Sequence, residues 1–131
     1  MNEDQCQVRT FHERYGLPRH DKPTWPGDQV LRQRILLIEE EVAELRNSAL
    51  NHDLAEVADA LADLLHVAYG TAVACGIDLE PIFAEIHRSN MTKERHEQRP
   101  DGKPAKGPSY VPPDVKPLLE EQRRLAAAAA S

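Results

Sequence analysis

Between Asp28 and Leu50 the apolar residues Leu31, Ile35, Ile38, Val42, Leu45 and Ala49 recur at alternating steps of four and three, which draws one continuous stripe along an α-helix. Asp28 suits an N-cap, and the helix is expected to run to about Asn47 or Leu50. Asn51 and Asp53 mark the break that follows. Asp53, with Glu56 three residues on, has the spacing of a capping box and opens a second helix that Gly76 stops near Cys75. From Val57 to Cys75 this helix is apolar nearly all round, the pattern of a helix buried among others. A third helix takes Asp78 as cap and tolerates Pro81 in its first turn, with Leu79, Ile82, Phe83 and Ile86 as its apolar face. A short helix over Val8 to Tyr15, stopped by Gly16, precedes them.

Prolines confirm this division, because they disrupt helix interiors. Pro18, Pro23 and Pro26 mark a loop-rich N-terminal arm, and six prolines from Pro100 to Pro117 mark a Pro/Gly loop; none falls between Gly27 and Glu80. The tail LLEEQRRLAAAAAS is helix-prone and compositionally simple, and is expected to fray. The expected organisation is one all-α domain over residues 1–117 and a tail over 118–131, with no internal repeat. Three helices, one of them apolar all round, leave a stripe uncovered. A homodimer or a dimer of dimers, completing an antiparallel four-helix bundle, is therefore expected.

Composition narrows the class. At 131 residues, with 40% hydrophobic and only 5% aromatic residues, the chain is one domain's length and lacks the aromatics of a typical sandwich or barrel. No apolar run approaches ~20 residues, so no membrane span is expected, and the polar start MNEDQCQVRT does not read as a signal peptide. A cytoplasmic protein with no membrane partner is expected. Cys6 and Cys75 are read as free thiols, too few for a disulfide framework or a zinc cluster.

The net charge of −6 matters less than its location. Glu39, Glu40, Glu41, Glu44, Asp53, Glu56, Asp59 and Asp63 face a single base, Arg46, in the same stretch, and the remainder of the chain is near neutral. That surface disfavours a nucleic-acid polymer as partner. Glu40, Glu41 and Glu44 share one sector of the first long helix, with Glu41 at the margin of the apolar surface, and Glu56, Asp59 and Asp63 share one face of the second. Packed side by side, the two helices bring up to six carboxylates around one small volume. Hard divalent cations such as Mg²⁺ or Mn²⁺ relieve such repulsion and serve phosphoryl chemistry. The competing readings are a solvated acidic face, a capping role for Glu56, and structural ion pairs to Arg34, Arg46 or Lys93.

These residues resemble a known family, the MazG-like all-α nucleoside triphosphate pyrophosphohydrolases, whose signature is E-E-x-x-E on one helix and E-x-x-D on the next. Glu40-Glu41-Val42-Ala43-Glu44 matches the first half, and Asp63 in DLLHVAYG matches the aspartate of the second. The similarity runs from about Val8 to Val115. It is closest to a dUTPase-like branch related to phosphoribosyl-ATP pyrophosphohydrolases, to which HRSNMTK and DGKPAKGPSYVPPD are also similar. One position departs: the glutamate expected three residues before Asp63 is Ala60. The resemblance implies cleavage between the α and β phosphates of a nucleotide, with dUTP the first candidate substrate. It implies that Glu41, Glu44 and Asp63 hold Mg²⁺ or Mn²⁺, with Asp59 or Glu56 standing in at the missing position, and that Glu40 orients or deprotonates the attacking water. On the phosphate side Asn90, Lys93, Lys103 and Lys106 are available. Phe11, Trp25, Tyr69 and Tyr110 are candidates to stack on a base or to fill the core; His12, His66 and His87 have no metal-ligand spacing. Two further readings stay open: the phosphoribosyl-ATP step of histidine biosynthesis, and a catalytically silent helical dimerisation or regulatory module.

Overall fold

In the computed structural model five helices account for most of the chain: α1 (Glu3–Tyr15), α2 (Asp28–Leu50), α3 (Leu54–Cys75), α4 (Leu79–Asn90) and α5 (Lys116–Ala130). All 131 residues are described except for the side chains of residues 95–98. The helix ends follow local chemistry. Asn2 Oδ1 accepts from the Gln5 amide at 2.8 Å, which starts α1 several residues before the expected Val8. Asp53 Oδ1 accepts from the Glu56 amide at 3.1 Å, and Asp78 caps α4 through the Glu80 amide at 3.1 Å. Gly16 and Gly76 close α1 and α3 in the left-handed region, at φ 64° and 67°. Gly27, not Asp28, occupies the cap position of α2.

The packing centre is α3, which lies against both α2 and α1. Gln5, buried on α1, donates to the Ile77 carbonyl at 2.6 Å and accepts from the Leu79 amide at 3.0 Å, so one side chain ties α1 to the α3–α4 turn. His12, also buried, holds the Pro18 carbonyl through Nδ1 at 2.8 Å.

Two expectations about burial need correction. From Leu31 onward the non-exposed positions of α2 are Leu31, Arg34, Ile38, Glu41, Leu45 and Ser48, again at steps of three and four. The face against α3 is therefore rotated from the apolar stripe: it shares Leu31, Ile38 and Leu45 with it but leaves Ile35 at 49% and Val42 at 38% exposure. The helix α3 is not buried all round, because within one chain only α1 and α2 cover it. Its buried residues are Ala60, Gly70, Ala72, Val73 and Ala74, while Leu61 and Leu65 stay exposed. By length and composition it is also apolar enough to cross a membrane, although Asp59 and Asp63 interrupt its apolar run.

The Pro/Gly region holds a small antiparallel ladder where only a loop was expected. Strand β1 (Glu94–Gln98) pairs with β2 (Pro104–Ala105), Glu94 opposite Ala105 and Gln98 opposite Pro104. Asp101-Gly102 makes the reversal possible: Gly102 takes φ 82° and donates to the Arg99 carbonyl at 2.9 Å. Beyond it, buried Ser89 donates to the Val111 carbonyl at 2.8 Å and Thr92 Oγ1 accepts from the Val111 amide at 2.8 Å, so the segment is pinned to the end of α4. The tail forms α5. Gln122 exchanges hydrogen bonds with the Asp78 amide and carbonyl at 3.0 and 2.9 Å, and Arg123 Nε donates to the Pro23 carbonyl at 3.1 Å. The alanine run past Ala126 is exposed.

Candidate active site

The rotated seam of α2 puts acids against α3. Glu40, Glu41 and Glu44 from α2 and Glu56, Asp59 and Asp63 from α3 line one cleft of ≈ 310 Å³, together with Ser48 and Ala60. All six carboxylates singled out in the sequence thus meet at one place. Glu41 is half-buried, being the seam position between Ile38 and Leu45. Its carboxyl titrates above the ordinary glutamate value, first because it is desolvated and then because Asp63, Glu40, Glu44 and Asp59 surround it.

The competing structural roles are not taken up. Among the described residues no ion pair reaches any of the six acids. Arg34 instead donates to the Val67 carbonyl at 3.0 Å and to Thr71 Oγ1 at 3.4 Å, and it is buried. The capping box is one-sided: Asp53 caps Glu56, but the Asp53 amide donates to the Ser48 carbonyl at 3.3 Å, so the Glu56 carboxylate is left to the cleft. Ala60, 4% exposed, lines the cleft among the acids without contributing a carboxylate. Among the described residues no three His, Cys, Asp or Glu side chains stand close enough to grip a metal ion as they are placed. The donor set is nevertheless all carboxylate, unpaired and mutually repelling, which is the chemistry that a hard divalent cation satisfies.

The expected phosphate-side residues lie elsewhere in the single chain. Asn90 ends α4, Lys93 follows it in a turn, Lys103 sits in the hairpin, and the Lys106 ammonium lies 5.2 Å from the Tyr110 ring centre. None lines the carboxylate cleft. Of the aromatic candidates, Trp25 is 71% exposed and bonded to Asp28, and the Tyr69 hydroxyl accepts from Asn2 at 3.0 Å.

Sequence reading missed what closes the other end of the seam. A Cβ at Gly70 would overlap the Arg34 guanidinium and come within 2.9 Å of His12 Nε2. Glycine in a helix interior costs roughly 0.5–1 kcal/mol relative to alanine, so Gly70 was itself a sign of a close approach.

The sequence pattern of the family described as phosphoribosyl-ATP pyrophosphohydrolase matches residues 8–90, a span that includes all six acids and Asn90. An uncharacterized protein of Acanthamoeba polyphaga mimivirus is 40% identical over 52 residues, which are 40% of this chain and 21% of that protein. The chain thus matches about a fifth of that relative's length.

Proposed function

Since the chain belongs to the phosphoribosyl-ATP pyrophosphohydrolase family, metal-dependent hydrolases of acid anhydrides, we propose that it hydrolyses a nucleotide to the monophosphate and pyrophosphate, with dUTP the first substrate to try. The observation that carries this reading is the cleft of six unpaired carboxylates between α2 and α3. Glu41, Glu44 and Asp63, with Asp59 or Glu56 in place of the glutamate absent at Ala60, would hold Mg²⁺ or Mn²⁺. A cation bound there neutralises the phosphate charge and acidifies a water. Glu40, exposed at the rim, accepts the proton of the water as its oxygen bonds to the α phosphorus, and the bond to the bridging oxygen breaks to release pyrophosphate.

The active unit is a homodimer or a dimer of dimers. Support comes from the apolar residues that one chain leaves open, among them Ile35, Leu61, Leu65, Phe83 and Ile86. The cations Lys93, Lys103 and Lys106, remote from their own cleft, are then free to approach the cleft of a second copy.

A second substrate, phosphoribosyl-ATP, is favoured by the description of the matching family. Pyrophosphate release from canonical and non-canonical nucleoside triphosphates and from phosphoribosyl-ATP, with Mg²⁺, with Mn²⁺ and with chelator, separates the two. The expected result is metal-dependent release that Glu41→Gln lowers by about 10² or more, the scale for losing one group that stabilises transition-state charge. A folded protein silent across the panel would refute the enzyme reading and favour the dimerisation module.

A further inference from the structure

One stripe of α4 belongs neither to the apolar core nor to the carboxylate cleft. Glu85, Arg88, Ser89 and Thr92 are spaced i, i+3, i+4 and i+7 along the helix and the turn that ends it, so they share a face, and each of them holds the backbone of residues 111–114. Ser89 Oγ, buried, donates to the Val111 carbonyl at 2.8 Å, and Thr92 Oγ1 accepts from the Val111 amide at 2.8 Å. Arg88 donates to the Pro112 carbonyl at 3.2 Å, and Glu85 Oε2 accepts from the Asp114 amide at 2.9 Å. Proline has no amide hydrogen, so both amides of this segment are paired by side chains of α4. Ordering an irregular segment costs conformational entropy, and apolar burial does not offset it here, because Val111 is 50% exposed.

What the segment carries is a lysine. Tyr110 precedes Val111, its amide donates to the Gly107 carbonyl at 3.1 Å, and its ring lies 5.2 Å from the Lys106 ammonium. Lys93 directly follows Thr92. Because Glu94 pairs with Ala105, Lys93 and Lys106 stand just outside that pair, at the same open end of the ladder. Like charges at facing positions of two strands repel, and among the described residues no carboxylate pairs with either lysine. Two such cations at one place are the complement of a phosphate-bearing ligand.

Resting on the nucleotide reading above, we propose that Lys93 and Lys106 form a two-point grip on the phosphates of the substrate, and that the α4 stripe is what positions it. Lys93 is carried by the end of α4; Lys106 is placed through Tyr110 and the pinned segment behind it. Lysine has a flexible stem, and holding it on a fixed ring removes part of the ordering that binding would otherwise cost. Neither lysine lines the cleft of its own chain, so the grip serves the cleft of a second copy. Glu85, Arg88, Ser89 and Thr92 are positioning residues, since they act through Lys106.

Two measurements on the full chain test this: calorimetric binding of inorganic pyrophosphate with Mg²⁺, which needs no turnover, and KM and kcat for the best nucleoside triphosphate. The variants are Lys106→Ala, Thr92→Val, Thr92→Ser and the chain carrying both Thr92→Val and Lys106→Ala. Lys106→Ala and Thr92→Val should each weaken pyrophosphate binding and raise KM by roughly tenfold, the scale of one hydrogen bond to a charged group, with most of the change in KM rather than kcat. Thr92→Ser keeps the hydroxyl and should bind as the wild type does. The double variant should bind no more weakly than Lys106→Ala, because residues acting through one contact are not additive. Ser89→Ala, which removes the other half of the hold on Val111, replaces Thr92→Val if that chain does not fold. Losses that multiply in the double variant overturn the proposal, as does wild-type affinity in Lys106→Ala or in both Thr92→Val and Ser89→Ala; metal-dependent turnover by the wild type then leaves the enzyme reading standing. Pyrophosphate bound by a wild type without turnover, and lost in Lys106→Ala and Thr92→Val, supports the grip while the enzyme reading falls. A wild type that neither binds pyrophosphate nor turns over overturns both.

Discussion

The α2–α3 seam has two ends of opposite charge, and they are treated differently. At one end the Arg34 cation is buried, yet the Val67 carbonyl and Thr71 hydroxyl receive its donors, and Gly70 makes room for it. At the other end six carboxylates share a cleft with no protein cation among the described residues to answer them. A buried charge is tolerated when its hydrogen bonds are met inside the chain. The acids have no such partners among the described residues of the chain, so the first end contributes stability and the second, in the proposed reading, is the ligand end.

Gly70→Ala strikes the stable end hardest. The added methyl displaces Arg34 and His12, and overpacking of this kind should lower stability by about 1–3 kcal/mol in urea titrations. A value within experimental error of zero would show that the guanidinium is not held where the structure puts it.

The ligand end should respond to cations. Millimolar Mg²⁺ or Mn²⁺ should raise the melting temperature; at ten times the dissociation constant the gain is about 1.4 kcal/mol. Because desolvation, and then repulsion from Asp63, Glu40, Glu44 and Asp59, holds the Glu41 carboxyl protonated to higher pH than usual, the gain should shrink as the pH falls through the carboxylate range. An equal gain in Glu41→Gln would place the cation elsewhere.

The smallest effect belongs to His12. Burial lowers its pKa from 6.5, opposed by the bond to the Pro18 carbonyl and joined by the nearby Arg34 and His66. The unfolded chain therefore takes up this proton first, so stability is full above pH 6.5 and declines as the pH falls through 6.5 toward the folded value. The slope is bounded by about 1.4 kcal/mol per pH unit, the limit for one proton. His12→Asn, which keeps a donor for Pro18, should flatten the decline between pH 7 and 5; an unchanged slope would assign it to other groups.

The helices α2, α3 and α4, their caps at Asp53 and Asp78, and the six acids of the cleft were legible along the chain. Capping and helical periodicity are local, and they act through residues three or four apart. The hairpin was not legible, since its two short strands depend on a turn at Asp101-Gly102 and on Glu94 filling the space beside Gly107. Nor was the missing box partner for Glu56, which depends on where the Ser48 carbonyl lies.

The sequence by itself determined that two acid-bearing helices follow one another and that Ala60 stands where the resembled family has a glutamate. Only the tertiary structure decided which face of α2 meets α3. The apolar stripe of α2 is broad enough to pack in more than one rotation, and Arg34 fitting over Gly70 selects the one that turns Glu41 inward and Ile35 outward. That rotation, fixed by contacts between residues 36 positions apart, converts an acidic run into a cleft.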